Sequence, residues 1–277
     1  MKNRTVRFTI VISTMLLILI SLIYMLLVHN GMVQVSADFE EETAIWQVWI
    51  IALFPLLMTL RPWDKEQIQP LYKEVPKSTW ALVTLAIVLI LLMIVTPKSY
   101  VFDLFYIYKL ILLFVIPLII IKRDSVREIM TIKTVRRWKE PLLVVVVWLE
   151  FYMLSPLSEA STYEIEFLTL LLGALISLIL NAVLEELFYR KWLQSRLEAA
   201  LGIWPAICVS AVLWALWHTG IQGSGGWIDS TAHALVLHGM MGLFLGYFWA
   251  KYRNIWLLIF IHGMMNFPVI LITMWFE

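Results

Sequence analysis

The sequence is poor in cysteine and in charge, and both shortages narrow the class of protein. The single cysteine, Cys208, lies in an apolar run, which excludes a disulfide framework and a cysteine zinc cluster. Asp, Glu, Lys and Arg make up 15% of the chain, against about 25% in an ordinary soluble domain. The net charge of +1 gives no indication of a nucleic-acid partner.

Long apolar runs dominate the sequence and predict an integral membrane protein. Hydrophobic residues make up 61% of the 277 residues, and the mean hydropathy is +0.85. Since a membrane-spanning helix needs about 20 mostly apolar residues, we expect an all-α, multi-pass transmembrane helical bundle in the cell membrane. It would have about nine spans, or eight if the short fifth one is excluded. The candidate spans are Phe8–Val28, Ala44–Leu60, Thr79–Thr96, Val101–Ile121, Pro141–Leu154, Ile165–Tyr189, Ile203–Thr219, Thr231–Ala250 and Ile255–Trp275.

The loops between these runs predict the topology. Loops that contain Lys and Arg alternate with loops that contain almost none, from the basic N-terminus to the end of the chain. The positive-inside rule therefore places the N-terminus in the cytoplasm. The basic connector Lys122–Glu140 is either an amphipathic helix on the inner membrane surface or a solvated connector. We expect it to separate an N-terminal membrane region, 1–140, from a C-terminal membrane region, 141–277.

The segment NAVLEELFYR, from Asn181 to Arg190, places charges at the end of an apolar run, where they are costly. Residues four apart share a helix face, so Glu186 and Arg190 predict an ion pair. Glu185 points about 100° away, so Arg190 does not neutralise it directly. Asn181 lies one turn before Glu185 and could hydrogen-bond it. Glu185 is then available as a general base, unless these charges only mark a helix end at the membrane interface.

Two histidines farther along the chain also lie on apolar spans. His218 ends one span, and Trp214, one turn before it, is expected to pack on the imidazole ring. His262 and Asn266 are four residues apart, so both side chains should leave one helix face. Buried polar groups without partners cost about 1–3 kcal/mol each, so we expect them to contact another helix.

Other polar residues on the spans favour structural roles. His238, Gly242 and Gly246 follow one another at four-residue intervals, which is typical of a small-residue face for close helix packing. Lys109 and Glu150 could pair across the fourth and fifth spans. A path of such groups would also fit a transporter.

Taken in order, the segments EELFYR, WALWH and HGMMN resemble the three motifs of the CPBP family of intramembrane proteases. This family comprises the type II CAAX prenyl endopeptidases and the related abortive-infection proteins. Its pattern is Glu-Glu-x-x-x-Arg, then Phe-x-x-x-His, then His-x-x-x-Asn or Asp. The second motif differs here, because Trp214 stands where the family usually has Phe. The resemblance covers about residues 165–275 and implies a catalytic core that hydrolyses a peptide bond.

The resemblance also implies a role for each matching residue. Glu185 would activate water with assistance from His218, and His262 and Asn266 would bind either a metal or the developing oxyanion. The positions expected to support them are Glu186, Arg190, Asn181 and Trp214.

The residue types allow a mechanism with or without a metal. A catalytic zinc ion has three protein ligands and a water, and His218, His262 and Glu185 could supply three. The His-Glu-x-x-His arrangement is absent, and asparagine is an uncommon zinc ligand but a good oxyanion donor. These features favour the metal-free version, with one divalent metal such as zinc as the alternative.

The expected substrate is a membrane-embedded or membrane-associated protein or peptide within the lipid bilayer. The alternatives are a membrane transporter and a non-catalytic immunity or assembly partner, in which the polar groups would only hold helices together. A single site also requires Glu185 and His218 to reach the same depth. For this, the seventh span must tilt or begin deeper, or the sixth must continue past Trp192.

Overall fold

The computed structural model describes residues 2–35, 42–60, 68–124, 138–155, 165–223 and 225–276, and most of them are helical. The helices are α1 Lys2–Val28, α2 Ile45–Leu60, α3 Thr79–Val95, α4 Lys98–Lys109, α5 Ile116–Ile121, α6 Lys139–Met153, α7 Phe167–Ser177, α8 Ser195–Leu201, α9 Ile203–Trp217, α10 Trp227–Ala234, α11 Met240–Tyr252, α12 Ile255–Met265 and α13 Ile270–Phe276. Short π-helical segments connect some of them: Leu110–Val115, Leu178–Val183, Glu186–Gln194 and Leu235–Gly239. A 3-10 turn, His218–Gly220, follows α9.

These elements confirm an all-helical, multi-pass membrane protein. In the described part of the chain, five helices are long and apolar enough to cross a membrane, and α12 with α13 would make a sixth. The helices α2 and α3 are apolar but shorter. The count of nine spans and the cytoplasmic N-terminus therefore stay predictions. The five long helices are Arg4–Val28, Asp103–Ile121, Phe167–Leu201, Ile203–Gly220 and Trp227–Tyr252.

The helix that carries Glu185 is longer than the predicted span Ile165–Tyr189. It is 35 residues long, Phe167–Leu201, and includes two of the π-helical segments. Such segments are frequent at functional sites. Gly202 ends the helix with a φ of +87°, a conformation that favours glycine. The helix therefore continues past Trp192, which meets one of the conditions for a single site.

The last predicted span, Ile255–Trp275, is wrong as one continuous helix. The helix α12 ends at Met265, and α13 begins at Ile270. Pro268 lies in the break; proline has no N–H to donate and disfavours a helical conformation in the residue before it. Asn266 therefore lies at the end of a helix rather than inside one.

The helix α11 packs closely on α9 along a face of small residues. A methyl group added at Gly242 would lie 3.0 Å from Cα and Cβ of Ala211. One added at Gly246 would lie 3.0 Å from Cγ2 of Ile207, which is also on α9. These separations are shorter than ordinary van der Waals contact, so the predicted packing face is confirmed.

The main apolar cluster contains residues from both sides of the predicted boundary at residue 140. Leu82 and Leu113 lie before the boundary and Trp148 and Phe244 after it, and all four are fully buried. The division into two membrane regions stays a prediction.

Two features of the connections add to the sequence prediction. The strands β1 Met32–Gln34 and β2 Glu42–Ala44 form an antiparallel pair after α1, in which Val33 lies opposite Thr43. The all-α prediction did not include this pair. The proposed amphipathic helix of the basic connector falls mainly on residues 125–137, which are outside the described residues.

The turn after α9 makes a test of close packing possible. A methyl group at Gly220 would lie 2.5 Å from the carbonyl oxygen of Met93, whereas one at Gly173 would have no atom within 4 Å. We expect Gly220→Ala to lower the free energy of unfolding by about 1–3 kcal/mol, because backbone must shift to accept the methyl group. Gly173→Ala should be neutral or stabilising. Thermal unfolding of both variants in detergent measures this, and equal melting temperatures would contradict the packing.

Candidate active site

Trp214, on α9, lies at the centre of a buried polar cluster that unites the three motifs. Its indole N–H donates to Oε2 of Glu185, at 2.5 Å. Its ring meets the rings of His218 and His262 edge to face, with centroids 5.3 and 5.5 Å away. The predicted packing of Trp214 on His218 is confirmed. Glu185, His218 and His262 therefore converge around one side chain.

The carboxylate of Glu185 forms an ion pair that no spacing within the sequence predicts. Its partner is Lys109, at the end of α4, and both side chains are fully buried. The ammonium group of Lys109 also lies over the ring of Trp217, 4.6 Å from its centroid. The predicted pair of Lys109 with Glu150 is wrong, because Glu150 is exposed and Lys109 is engaged by Glu185. A transporter would have used Lys109 and Glu150 in one path of polar groups, and the absence of their pair removes this support for a transporter.

Asn181 contacts Lys109 rather than Glu185. Its side-chain oxygen accepts a hydrogen bond from Lys109 at 2.5 Å, and its amide donates to the hydroxyl of Ser177 at 2.9 Å. The hydrogen bond expected between Asn181 and Glu185 is not among those of the described residues. Asn181 and Glu185 thus share Lys109 as a partner.

The predicted pair of Glu186 and Arg190 is confirmed. Their closest atoms, Oε1 and Nη1, are 3.1 Å apart, and both side chains are buried. The guanidinium group lies over the ring of Trp214, 4.4 Å from its centroid, which is a favourable cation–π geometry. The same Oε1 of Glu186 lies 2.8 Å from Nδ1 of His262. His262 thus has a partner on another helix, as the sequence predicted.

His238 also belongs to the cluster, although the sequence did not predict its contact with the motif residues. Its ring stacks on that of His218 with centroids 3.5 Å apart and planes at 16°. It also meets Trp214 edge to face, at 5.3 Å. The four-residue spacing to two glycines correctly predicted a packing face, and the same face brings His238 to the motif residues.

Asn266 is placed differently from its motif partner. His262 is buried, whereas Asn266 follows the last turn of α12 and is exposed. In the described part of the chain, its side chain makes no hydrogen bond. Its expected role at the site stays a prediction.

Several polar atoms around the cluster are buried but have no hydrogen-bond partner among the described residues. They include both ring nitrogens of His238, Nε1 of Trp217, Oε2 of Glu186 and Nη2 of Arg190. Buried polar groups are almost always paired with protein or with ordered water, so these atoms are available to contact water or a substrate.

The donor atoms of the three residues considered as zinc ligands are not grouped around one point, and the metal dependence of the site stays a prediction. Among the described residues, one group of three donors brings its atoms within 4.8 Å of one another, and it does not include Glu185, His218 or His262. The oxygens of Glu185 are engaged by Lys109 and Trp214.

A family model described as Type II CAAX prenyl endopeptidase Rce1-like matches residues 167–268. The match confirms the resemblance predicted from the three motifs, all of which lie inside it. Within these residues the chain is similar to a family described as prenyl endopeptidases, and the match covers less than half of the chain. No curated protein and no solved structure matches the chain significantly. Lys109 lies outside the matched residues, so motif comparison alone does not find it.

The buried ion pair leads to a prediction about folding. Removing one member of a buried pair typically costs about 3–5 kcal/mol, whereas replacing both is often neutral. We expect Lys109→Met to lower the stability strongly, because the charge of Glu185 loses its cation. The double variant Lys109→Met with Glu185→Gln should regain most of that loss. Thermal unfolding of the single and double variants tests this, and a double variant no more stable than Lys109→Met would argue against the pair.

Proposed function

We propose that this chain is an intramembrane endopeptidase that hydrolyses a peptide bond of a membrane-associated protein or peptide, with Glu185 as the base that activates water. The observation that carries the proposal is the convergence of Glu185, His218 and His262 around Trp214, within residues that match the type II CAAX prenyl endopeptidases. The unpaired polar atoms beside them favour a catalytic site over a purely structural contact between helices.

Glu185 is held in position by two partners. Lys109 pairs with one oxygen of its carboxylate, and the indole N–H of Trp214 donates to the other. In the proposed reaction, Glu185 accepts a proton from water while the water oxygen bonds to the substrate carbonyl carbon. The electron pair of the carbonyl moves to its oxygen. When the carbon–nitrogen bond breaks, the proton passes to the leaving amine.

His218 is arranged to assist as a neutral imidazole. Its Nδ1 lies 2.9 Å from the backbone carbonyl oxygen of Trp214, which can only accept, so Nδ1 carries the proton. In the neutral ring Nε2 is then free to accept a hydrogen bond from the attacking water, while Glu185 takes its proton. The stacked ring of His238 favours this state, because two facing imidazolium rings would repel each other.

His262 is proposed to donate a hydrogen bond to the oxyanion. The carboxylate of Glu186 lies beside Nδ1, and in the proposed reaction an N–H at the opposite nitrogen, Nε2, donates to the substrate oxygen. One such donor is typically worth about 2.7–4 kcal/mol in the transition state. Asn266, at the end of the same helix, is proposed as a second donor once the substrate is bound.

A cleavage assay in proteoliposomes tests the base. The probes are a fluorogenic peptide with a farnesylated cysteine and its unmodified counterpart. We expect Glu185→Gln to lower the rate per folded molecule by about 10²–10⁴-fold, the usual contribution of a general base. The matched control is Glu150→Gln, which removes an exposed carboxylate and should retain the wild-type rate. If Glu185→Gln cleaves each probe that the wild type cleaves, and at the same rate, Glu185 is not the general base.

The metal-free mechanism also predicts the metal content of the purified variants. If His262 acts on the oxyanion, His262→Ala should lose rate while the metal content of the purified protein stays that of the wild type. If it binds catalytic zinc, the variant should lose one equivalent. Elemental analysis of both proteins, prepared side by side, distinguishes the two mechanisms.

A further inference from the structure

A second group of metal-ligating side chains lies apart from the candidate active site. It consists of His29, just after α1, with Asp229 and His233 on α10. One ligand atom of each residue lies within 4.8 Å of the other two. Asp229 and His233 are buried, and His29 is partly exposed. Neither the motifs nor the proposed reaction assigns a role to these residues.

The two imidazoles flank one carboxylate. Nε2 of His29 lies 2.5 Å from Oδ1 of Asp229, and Nδ1 of His233 lies 3.5 Å from Oδ2. The imidazole rings meet edge to face with centroids 4.8 Å apart. Two imidazoles and a carboxylate are a donor set that zinc and similar divalent ions prefer, with a fourth position left for water.

The surrounding residues hold this carboxylate in place. The backbone N–H of Gly225 donates to Oδ2 of Asp229 at 3.2 Å, and the hydroxyl of Tyr24 lies 3.5 Å from Oδ1. A methyl group on Gly225 would lie 2.6 Å from the carboxylate carbon, so only glycine lets the loop approach so closely. Gly223, with a φ of +75°, turns the same loop around the site.

His233 also has the outer contact that metal-bound histidines usually make. Its Nδ1 lies 3.1 Å from the backbone carbonyl oxygen of Asp229, one turn earlier. Since the carbonyl only accepts, Nδ1 donates to it when it carries the ring proton, and Nε2 then keeps the lone pair that a metal ion requires.

The charge of Asp229 supports a bound cation. In the described part of the chain, no lysine or arginine forms an ion pair with this buried carboxylate. The counter-charge must therefore come from one of the two histidines or from a bound cation. A divalent ion supplies it while both histidines stay neutral and free to act as ligands.

We propose that His29, Asp229 and His233 bind one divalent metal ion, Zn²⁺ or an ion with similar ligand preferences such as Co²⁺. The ion joins the end of α1 to the start of α10, on the side of the bundle that the loop charges predict to be outside. Its role is to fasten these two helices together, and it is independent of the proposed peptidase reaction.

The test uses the purified full-length chain in detergent, freed of metal by a chelator and then titrated with Zn²⁺ by calorimetry. We expect the wild type to bind one equivalent that His29→Ala and Asp229→Asn bind at least tenfold more weakly. His262→Ala is the matched control, because it removes a histidine of the candidate active site and should retain this equivalent. Co²⁺ should give visible absorption bands typical of tetrahedral coordination in the wild type, and these should be absent in His29→Ala.

Two results would overturn the proposal. One is the absence of Zn²⁺ binding by the wild type, which would leave the three residues as a hydrogen-bonded brace. The other is equal binding by the wild type and by His29→Ala. Since His29 is partly exposed, its variant should elute from a sizing column as the wild type does, and Asp229→Asn keeps the shape of the carboxylate.

Discussion

The ion pair of Lys109 and Glu185 is the constraint on which the rest of the bundle depends. Neither charge is tolerated alone in a medium of low polarity, so α4 and the long helix Phe167–Leu201 must stay in one register. The rings of Trp217 and Trp214 lie against this pair, which brings α9 to the same point. The helix α4 is far from the other two helices in the sequence, and all three meet at the ion pair of Lys109 and Glu185.

The sequence predicted those parts of the cluster that depend on spacing within one helix. Glu186 with Arg190 and Trp214 with His218 are each four residues apart, and helical geometry alone brings them together. Lys109 with Glu185 joins two separate helices, and no local period encodes such a pair. The contact of His238 with His218 likewise depends on how two helices pack.

The prediction was weakest where the chain leaves regular helical geometry. The shared helix of His262 and Asn266 was expected from their spacing, but Pro268 two residues later was the available indication that the helix ends. The π-helical segments on either side of Glu185 have no sequence signature of comparable strength. They change which residues face the cluster, so the side-chain directions near Glu185 required the structure.

The position of Lys109 outside residues 167–268 affects how related sequences should be classified. Residues 167–268 do not contain the whole cluster, because they include Glu185 but not Lys109, its partner in the ion pair. A related chain could retain all three motifs and still lack a lysine on its fourth helix. If such chains were classified by the three motifs alone, chains with a lysine beside the glutamate and chains without one would fall into the same group. The residue on the fourth helix that corresponds to Lys109 distinguishes them.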